Sequence, residues 1–183
     1  MMKNILVLTG SPRLGGNCDL AANAFIKGAT GAGHQVYRFD AGRKRISGCM
    51  ACERCWEQGK ACVIDDDFNE LAELIPKADM IVYISPLYYS DVSGQMKCAV
   101  DRFYSYSTGK APNPEKIKES MLILCGETEL GTDFTGVTKV YKNMIGYKGW
   151  KNRGVLCIGR VSDKGDILKT ECMEKIEDMG RNA

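Results

Sequence analysis

The chain has 183 residues, of which 44% are hydrophobic and 26% charged, and its formal net charge is +2. This length suits one domain with a substantial core and is short for two. The weak net charge gives no strong field for nucleic acid or an anionic membrane. No apolar run approaches the length of a transmembrane helix, and the N-terminal apolar run stops at Gly10. We therefore expect a cytoplasmic protein that binds neither nucleic acid nor membranes.

Five strand-like apolar runs alternate with stretches of helical periodicity along the chain. The strands are expected over residues 4–8, 35–40, 80–84, 121–124 and 154–158, and the main helices over 18–30, 68–75, 93–104, 135–145 and 169–180. Such an alternation is typical of a parallel sheet covered on both faces. The sequence predicts one α/β domain over residues 1–183, with a doubly wound, flavodoxin-like sheet of five strands. Ligands of such sheets bind beyond the carboxyl ends of the strands, so loops 10–18, 85–93 and 125–128 should line one site.

The loop after the first strand reads Gly10-Ser-Pro-Arg-Leu-Gly-Gly-Asn17 and directly precedes the first helix. Ser11, Arg13 and Asn17 place hydroxyl, guanidinium and amide donors beside the N-terminus of a helix, a combination that suits a phosphate. The alternative is an ordinary strand-to-helix turn. The loop lacks the Lys and hydroxyl of a P-loop and the glycine spacing of a dinucleotide fingerprint. It is therefore interpreted as a site for a single terminal phosphate.

Two further loops follow the third and fourth strands. Pro86 stiffens the exit from the third strand, and the rings of Tyr88 and Tyr89 could flank a planar ligand or simply cover the sheet edge. Gly126, after the fourth strand, permits close approach of the backbone to a ligand, and a simple turn is nearly as good an interpretation.

Nine cysteines are many for a chain with no export signal. Four of them follow the spacing Cys-x2-Cys-x2-Cys-x6-Cys within segment 43–67, which is expected as an insertion after the second strand; they are Cys49, Cys52, Cys55 and Cys62. Compact runs of this kind hold iron–sulfur clusters, whereas structural zinc usually takes two separated pairs. A thiol–disulfide pair is the other alternative. The five remaining cysteines are interpreted as small buried hydrophobes.

Two motifs in register resemble the NADPH-dependent FMN reductase and iron–sulfur flavoprotein family. They are Gly-Ser-Pro-Arg-x-x-Gly-Asn over residues 10–17 and Pro-Leu-Tyr-Tyr with Ser-x-Gln-x-Lys-x3-Asp-Arg over residues 86–102. The resemblance implies that the first loop holds the FMN phosphate, with Cys18 where most members carry Ser or Thr, and that the second loop meets the isoalloxazine ring. The implied cofactor-binding residues are Ser11, Arg13, Gly16, Asn17, Cys18, Pro86, Leu87, Tyr88, Tyr89, Ser93 and Gly126. Asp101 and Arg102 are expected to form a structural ion pair.

The resemblance implies an FMN-binding oxidoreductase that passes electrons from NAD(P)H through FMN to a small-molecule or protein acceptor, with no catalytic side chain assigned. The alternative is an iron–sulfur flavoprotein that moves electrons between FMN and a 4Fe–4S cluster on Cys49, Cys52, Cys55 and Cys62, without nicotinamide. The resemblance extends equally to relatives whose similar cysteine loops hold no cluster and that bind FMN alone. A third possibility is a cofactor-free metal-binding or redox-sensing module. The resemblance also implies a homodimer or homotetramer.

Overall fold

The computed structural model describes residues 1–107, 110–129 and 132–183, and for Thr132 it describes the backbone alone. The strands are β1 (Asn4–Thr9), β2 (Gln35–Asp40), β3 (Met80–Pro86), β4 (Glu119–Cys125) and β5 (Lys151–Ile158). The α-helices are α1 (Asn17–Gly31), α2 (Arg54–Glu57), α3 (Phe68–Ala72), α4 (Gly94–Asp101), α5 (Thr132–Lys148) and α6 (Cys172–Arg181). Single 3-10 turns lie at Ala41–Arg43, Ile75–Lys77, Arg102–Tyr106 and Asp166–Lys169.

The five strands form one parallel sheet in the order β2-β1-β3-β4-β5. This is the flavodoxin-like order, so the predicted fold class is confirmed. The chain leaves β1 and β3, which are neighbours in the sheet, toward opposite faces. The loops after these two strands therefore diverge and open a crevice at the carboxyl edge, the usual ligand position in such sheets.

Successive side chains of each strand point to opposite faces, and each face carries its own apolar layer. Ile5 and Val7 belong to the layer shared with α1 and α6, whereas Leu6 and Leu8 belong to the layer shared with α3, α4 and α5. All four side chains are fully buried. Burial on both faces explains why the strands read as continuous apolar runs rather than alternating ones.

Helices α1 and α6 cross at close range through two glycines. A Cβ added at Gly28 would lie 1.9 Å from the carbonyl oxygen of Glu177, and one added at Gly180 would lie 2.1 Å from the carbonyl oxygen of Phe25. The two backbones are therefore in direct contact. This contact places α6 on the same face of the sheet as α1, the helix that follows the loop after β1.

The observed boundaries differ from the predicted ones mainly at element ends. Strand β3 extends through Pro86 because β4 pairs with it as far as Cys125, a long-range pairing that local sequence does not show. The helix predicted over 93–104 is α4 followed by a 3-10 turn at Arg102–Tyr106. Helix α3 ends at Ala72, before Pro76. Among the described residues, no helix combines the length and apolar character needed to cross a membrane.

Candidate functional site

A cavity of about 270 Å³ lies at the carboxyl edge of the sheet, between the loops after β1, β3 and β4. Eight of the eleven predicted cofactor-binding residues line it: Ser11, Arg13, Asn17, Cys18, Pro86, Leu87, Tyr88 and Gly126. Cys125, Glu127, Val161 and Ser162 line it as well. The last two belong to the loop after β5, which was not among the predicted loops of the site. Applying the carboxyl-end rule to the fifth strand as well would have found them.

The N-terminus of α1 opens onto this cavity without a capping side chain. Gly16 is the N-cap residue, and its own N–H donates to the carbonyl oxygen of Arg13 at 3.1 Å. The first amides of a helix have no partner within the helix, and together they carry a partial positive charge. Because Gly16 has no side chain to cap the helix, the first backbone amides of α1 stay available to an anion.

Arg13 and Asn17 reach across the cavity mouth to the loop after β5. The Arg13 Nη1 group donates to the carbonyl oxygen of Ser162 at 2.9 Å, and the Asn17 amide donates to that of Asp163 at 2.9 Å. The Asn17 Oδ1 atom accepts from the N–H of Ile167 at 3.2 Å. Asn17 is thus a bridge between two loops as well as a residue of the cavity wall, and one of its amide hydrogens remains for a ligand.

A buried carboxylate fixes the tip of the first loop. Asp19 accepts from the N–H of Gly15 at 2.8 Å and pairs with Arg38, while Arg43 lies 3.5 Å away. Burial by itself would raise the pKa of Asp19, but the Gly15 hydrogen bond and the two guanidinium groups outweigh it and lower that pKa. Asp19 was not among the predicted residues, and its role is to hold the loop in shape.

Ser93 lies beneath the cavity rather than on its wall. Its side chain is fully buried, and its Oγ donates to the carbonyl oxygen of Gly10 at 2.6 Å and accepts from the N–H of Met96 at 3.2 Å. The N–H of Ser93 donates in turn to Ser85 Oγ at 3.0 Å. The residue therefore joins the loops after β1 and β3 and caps α4 at the same time.

The two adjacent tyrosines point in different directions. Tyr88 and Asp91 exchange backbone hydrogen bonds of 2.8 and 3.1 Å around a tight turn, in which Tyr89 and Ser90 both have positive φ. Such a turn directs the Tyr89 side chain into solvent, where it is completely exposed, while Tyr88 lines the cavity. The structure therefore does not bring Tyr89 to the cavity.

Two cysteines form part of the cavity floor. Cys18 in the first turn of α1 and Cys125 at the end of β4 are both buried and both line the cavity. Contact with the Cys18 thiol, together with burial, raises the pKa of the Cys125 thiol well above its ordinary value. Cys125 is thus a neutral wall residue at physiological pH and not a nucleophile.

A second, small cavity of about 20 Å³ lies within the cysteine segment. All four predicted ligands line it: Cys49, Cys52, Cys55 and Cys62. Residues Ala51 and Glu53, between the first three cysteines, adopt positive φ of 50° and 57°, which folds the backbone tightly. Burial raises the pKa of the Cys55 thiol, and the neighbouring Cys62 and Cys52 side chains act in the same direction.

This cysteine arrangement differs from a site for one metal ion. Across the described ranges, no three His, Cys, Asp or Glu side chains converge closely enough to hold a single ion. A 4Fe–4S cluster takes one thiolate for each of its four irons and thus needs ligands spread around a larger body. Four thiols around one cavity match that donor set in number and chemistry.

The cysteine segment is closed at its base by a buried ion pair. The Arg102 Nη1 group lies 3.0 Å from Asp66 Oδ2 and donates to the carbonyl oxygen of Ser47 at 2.9 Å. The prediction that Asp101 and Arg102 pair with each other is wrong, because Asp101 pairs with Lys97 at 2.5 Å on the exposed side of α4. Residues 101 and 102 face different sides, so a buried partner from the cysteine segment reaches Arg102 instead.

The order of the sheet and the position of the cavity at its carboxyl edge define a flavodoxin-like α/β protein. The chain belongs to the NADPH-dependent FMN reductase family, whose model matches residues 3–131. This is a family of FMN-dependent oxidoreductases.

An Archaeoglobus fulgidus iron–sulfur flavoprotein is 36% identical over 105 residues, which cover 57% of this chain and 47% of that protein. The chain therefore spans about half the length of the iron–sulfur flavoproteins that it matches. The Bacillus subtilis protein YwqN, whose name proposes an NAD(P)H-dependent FMN-containing oxidoreductase, is 22% identical over 90% of this chain and 89% of its own. An NAD(P)H:quinone oxidoreductase from Methanothermobacter marburgensis shares the fold, with a TM-score of 0.75 at 21% identity over 100% of this chain and 97% of the other.

Proposed function

We propose that the protein binds FMN in the 270 Å³ cavity and transfers electrons between that flavin and a 4Fe–4S cluster held by the cysteine segment. The observation that carries this proposal is that all four spaced cysteines line one cavity. Membership of an FMN-dependent oxidoreductase family supports the flavin, and the names of relatives up to 36% identical support the cluster.

The residues around the first cavity suit the two ends of FMN. The uncapped N-terminus of α1, with Ser11 and Arg13 beside it, offers amide, hydroxyl and guanidinium donors to a phosphate. Leu87, Tyr88 and Gly126 offer apolar and flat surfaces to the ring system. The bound flavin would supply the redox chemistry, and the protein would contribute binding, orientation and exclusion of water.

Helix α4 connects the two proposed redox sites. Its N-cap Ser93 is hydrogen-bonded to the first loop, and the residue directly after its last turn, Arg102, is bonded to the cysteine segment. Arg102 lies nine residues after Ser93, so the two attachments are about 13 Å apart along the helix axis. A short rigid element thus fixes the cysteine segment relative to the flavin cavity.

The test is to purify the protein without oxygen and to assay flavin, iron and sulfide on the same sample. We expect one FMN with iron and sulfide near four each per chain, and loss of iron in Cys55→Ala. Cys172→Ala is the matched control, because Cys172 is a partly buried cysteine outside this segment. Flavin without iron, after anaerobic reconstitution as well, would contradict the cluster; no flavin affinity would contradict the whole proposal.

A second candidate function is NAD(P)H-dependent FMN reduction with a cysteine segment free of metal. Cys49 and Cys52 are exposed, and the similarity to YwqN extends over 90% of the chain. Rapid oxidation of NADH or NADPH by the FMN-loaded protein supports this function. Slow nicotinamide oxidation with fast electron exchange from a reduced ferredoxin supports the iron–sulfur electron carrier.

We also propose that the chain forms a homodimer or homotetramer. Helix α5 exposes Val140 and Tyr147, which lie two turns apart on one side of the helix. Light scattering on the purified protein measures the mass directly, and a monomer at micromolar concentration would contradict this proposal.

A further inference from the structure

Arg102 is a buried cation whose side chain is only 1% exposed. Its Nη1 atom donates to Ser47 O at 2.9 Å and to Asp66 Oδ2 at 3.0 Å, and its Nη2 atom donates to Asp66 Oδ1 at 3.3 Å. The guanidinium carbon lies 4.5 Å from the centre of the Phe68 ring. These contacts fix the plane of the guanidinium group and leave it little freedom to turn.

One donor of this group has no acceptor. In the part of the chain that the structure describes, the Arg102 Nε atom is buried and makes no hydrogen bond. A buried N–H without an acceptor is costly, and the cost is higher when the donor is charged. Since the other contacts fix the guanidinium plane, the Nε–H group cannot turn toward an acceptor elsewhere. An acceptor must therefore lie in the direction in which this N–H already points.

The same side chain lines the small cavity of the cysteine segment, together with all four cysteines. Besides the sulfur atoms, the wall carries apolar side chains, Ala61 and Ile64 among them, and the polar side chains of Glu53, Tyr104 and Ser105. None of these polar side chains accepts a hydrogen bond from Arg102 Nε in the described structure, and a thiolate or cluster sulfur at this cavity would supply the acceptor.

We propose that Arg102 is a positioning residue of the cysteine site, whose Nε–H donates a hydrogen bond to a sulfur of the bound cluster while its other nitrogens hold the two ends of the segment. Within the segment, the loop that carries the four cysteines runs from Ser47, two residues before Cys49, to Asp66, four residues after Cys62. One guanidinium group thus joins both ends of the ligand loop and brings a positive charge to the wall of the cavity that the four cysteines line. This inference rests on the proposed iron–sulfur function.

A hydrogen bond and a positive charge near cluster sulfur stabilise the reduced form, which carries one more negative charge. Both raise the reduction potential of the cluster, as outer-shell hydrogen bonds commonly do. The residue would therefore set how readily electrons pass from the flavin to the cluster. A purely structural role predicts no such shift in a variant that still holds a complete cluster.

The test compares wild type, Arg102→Lys and Arg102→Gln by redox titration of the cluster signal, with iron, sulfide and FMN contents measured on each sample. We expect both variants to titrate at more negative potential, Arg102→Gln by more because it also loses the charge. Arg54→Gln is the matched control, since Arg54 is an exposed arginine of the same segment. We expect its potential to stay close to that of wild type.

Asp66→Asn tests the Nε–H hydrogen bond apart from the ion pair that closes the loop. The variant weakens the Arg102–Asp66 ion pair but keeps the Nε–H donor. We expect the reduction potential of the cluster in Asp66→Asn to equal or exceed that of wild type. This variant still tests the inference if the Arg102 variants fail to fold. An unchanged potential in a fully loaded Arg102→Lys, or a lowered potential in Asp66→Asn, would overturn the inference alone. Wild type that binds FMN but no iron would overturn the cluster proposal and the inference with it.

Discussion

The Ser93 hydroxyl donates a hydrogen bond of 2.6 Å to the carbonyl oxygen of Gly10, 83 residues earlier in the chain. Ser93 starts α4, and Gly10 starts the loop that leads to α1. There is no room for a side chain between them, because a Cβ at Gly10 would lie 2.7 Å from Ser93 Oγ. This contact fixes the two loops of the proposed flavin cavity relative to each other without touching the cavity itself.

The variant Ser93→Ala removes this bond and the cap on the Met96 amide. Leaving a buried acceptor and a helix N-terminus unsatisfied costs about 1–3 kcal/mol, so we expect a loss of stability of that size and weaker FMN binding. Urea unfolding and flavin titration measure the two effects. Thr30→Ala is the control, since its exposed hydroxyl bonds only within α1 as far as the described contacts go. Equal stability of the two variants would contradict the prediction.

Arg13 is expected to bind the phosphate of FMN and not its ring. A hydrogen bond between charged groups contributes about 1.5–3 kcal/mol, so Arg13→Gln should weaken FMN binding about 10- to 100-fold. Riboflavin lacks the phosphate, and its affinity should change little in the same variant. Fluorescence quenching titrations with both flavins give the comparison. A similar loss for riboflavin would show that Arg13 acts instead through its bond to the Ser162 loop.

The contact between α1 and α6 offers a matched pair of glycine substitutions on one helix. Gly28→Ala places a Cβ against the backbone of Glu177, whereas Gly31→Ala meets no atom within 4 Å. We expect the first variant to lose about 1–3 kcal/mol or more through overpacking. The second should be neutral or gain up to about 1 kcal/mol, because alanine restricts the unfolded chain. Chemical denaturation measures both, and a stable Gly28→Ala would contradict the close crossing.

Asp19 should make the protein sensitive to acid. Its pKa is lowered in the folded state from an ordinary 3.8, so its stabilising effect is complete above that value and is lost as the pH falls through the lower, folded pKa. We therefore expect Asp19→Asn to show a shallower fall in stability below pH 3.8 than wild type. Asp101→Asn, which removes an exposed carboxylate paired with Lys97, is the control. Unfolding curves at several pH values give the free energy of unfolding of each protein. If this free energy fell in parallel with pH in all three proteins, the prediction would be wrong.

Local sequence determined the strands, the loop of donors after β1 and the spacing of the four cysteines. These features depend on neighbouring residues: apolar runs mark strands buried on both faces, and Ser11, Arg13 and Asn17 lie within seven residues of one another. The carboxyl-end rule then brought three distant loops to one edge, and eight of the predicted residues lie on one cavity wall. That much follows from sequence because parallel connections have a fixed hand and end at the same edge.

Only the tertiary structure decided which side chains face the cavity and which support it. Tyr88 and Tyr89 are identical neighbours, and the positive φ of the turn sends the second into solvent. Ser93 is turned inward to Gly10, and Arg102 is paired with Asp66, 36 residues away. Such choices depend on contacts between segments far apart in the chain, where burial makes each polar group find a partner. The types of residue in the sequence predict the chemistry of the site, and long-range packing assigns each residue its place in it.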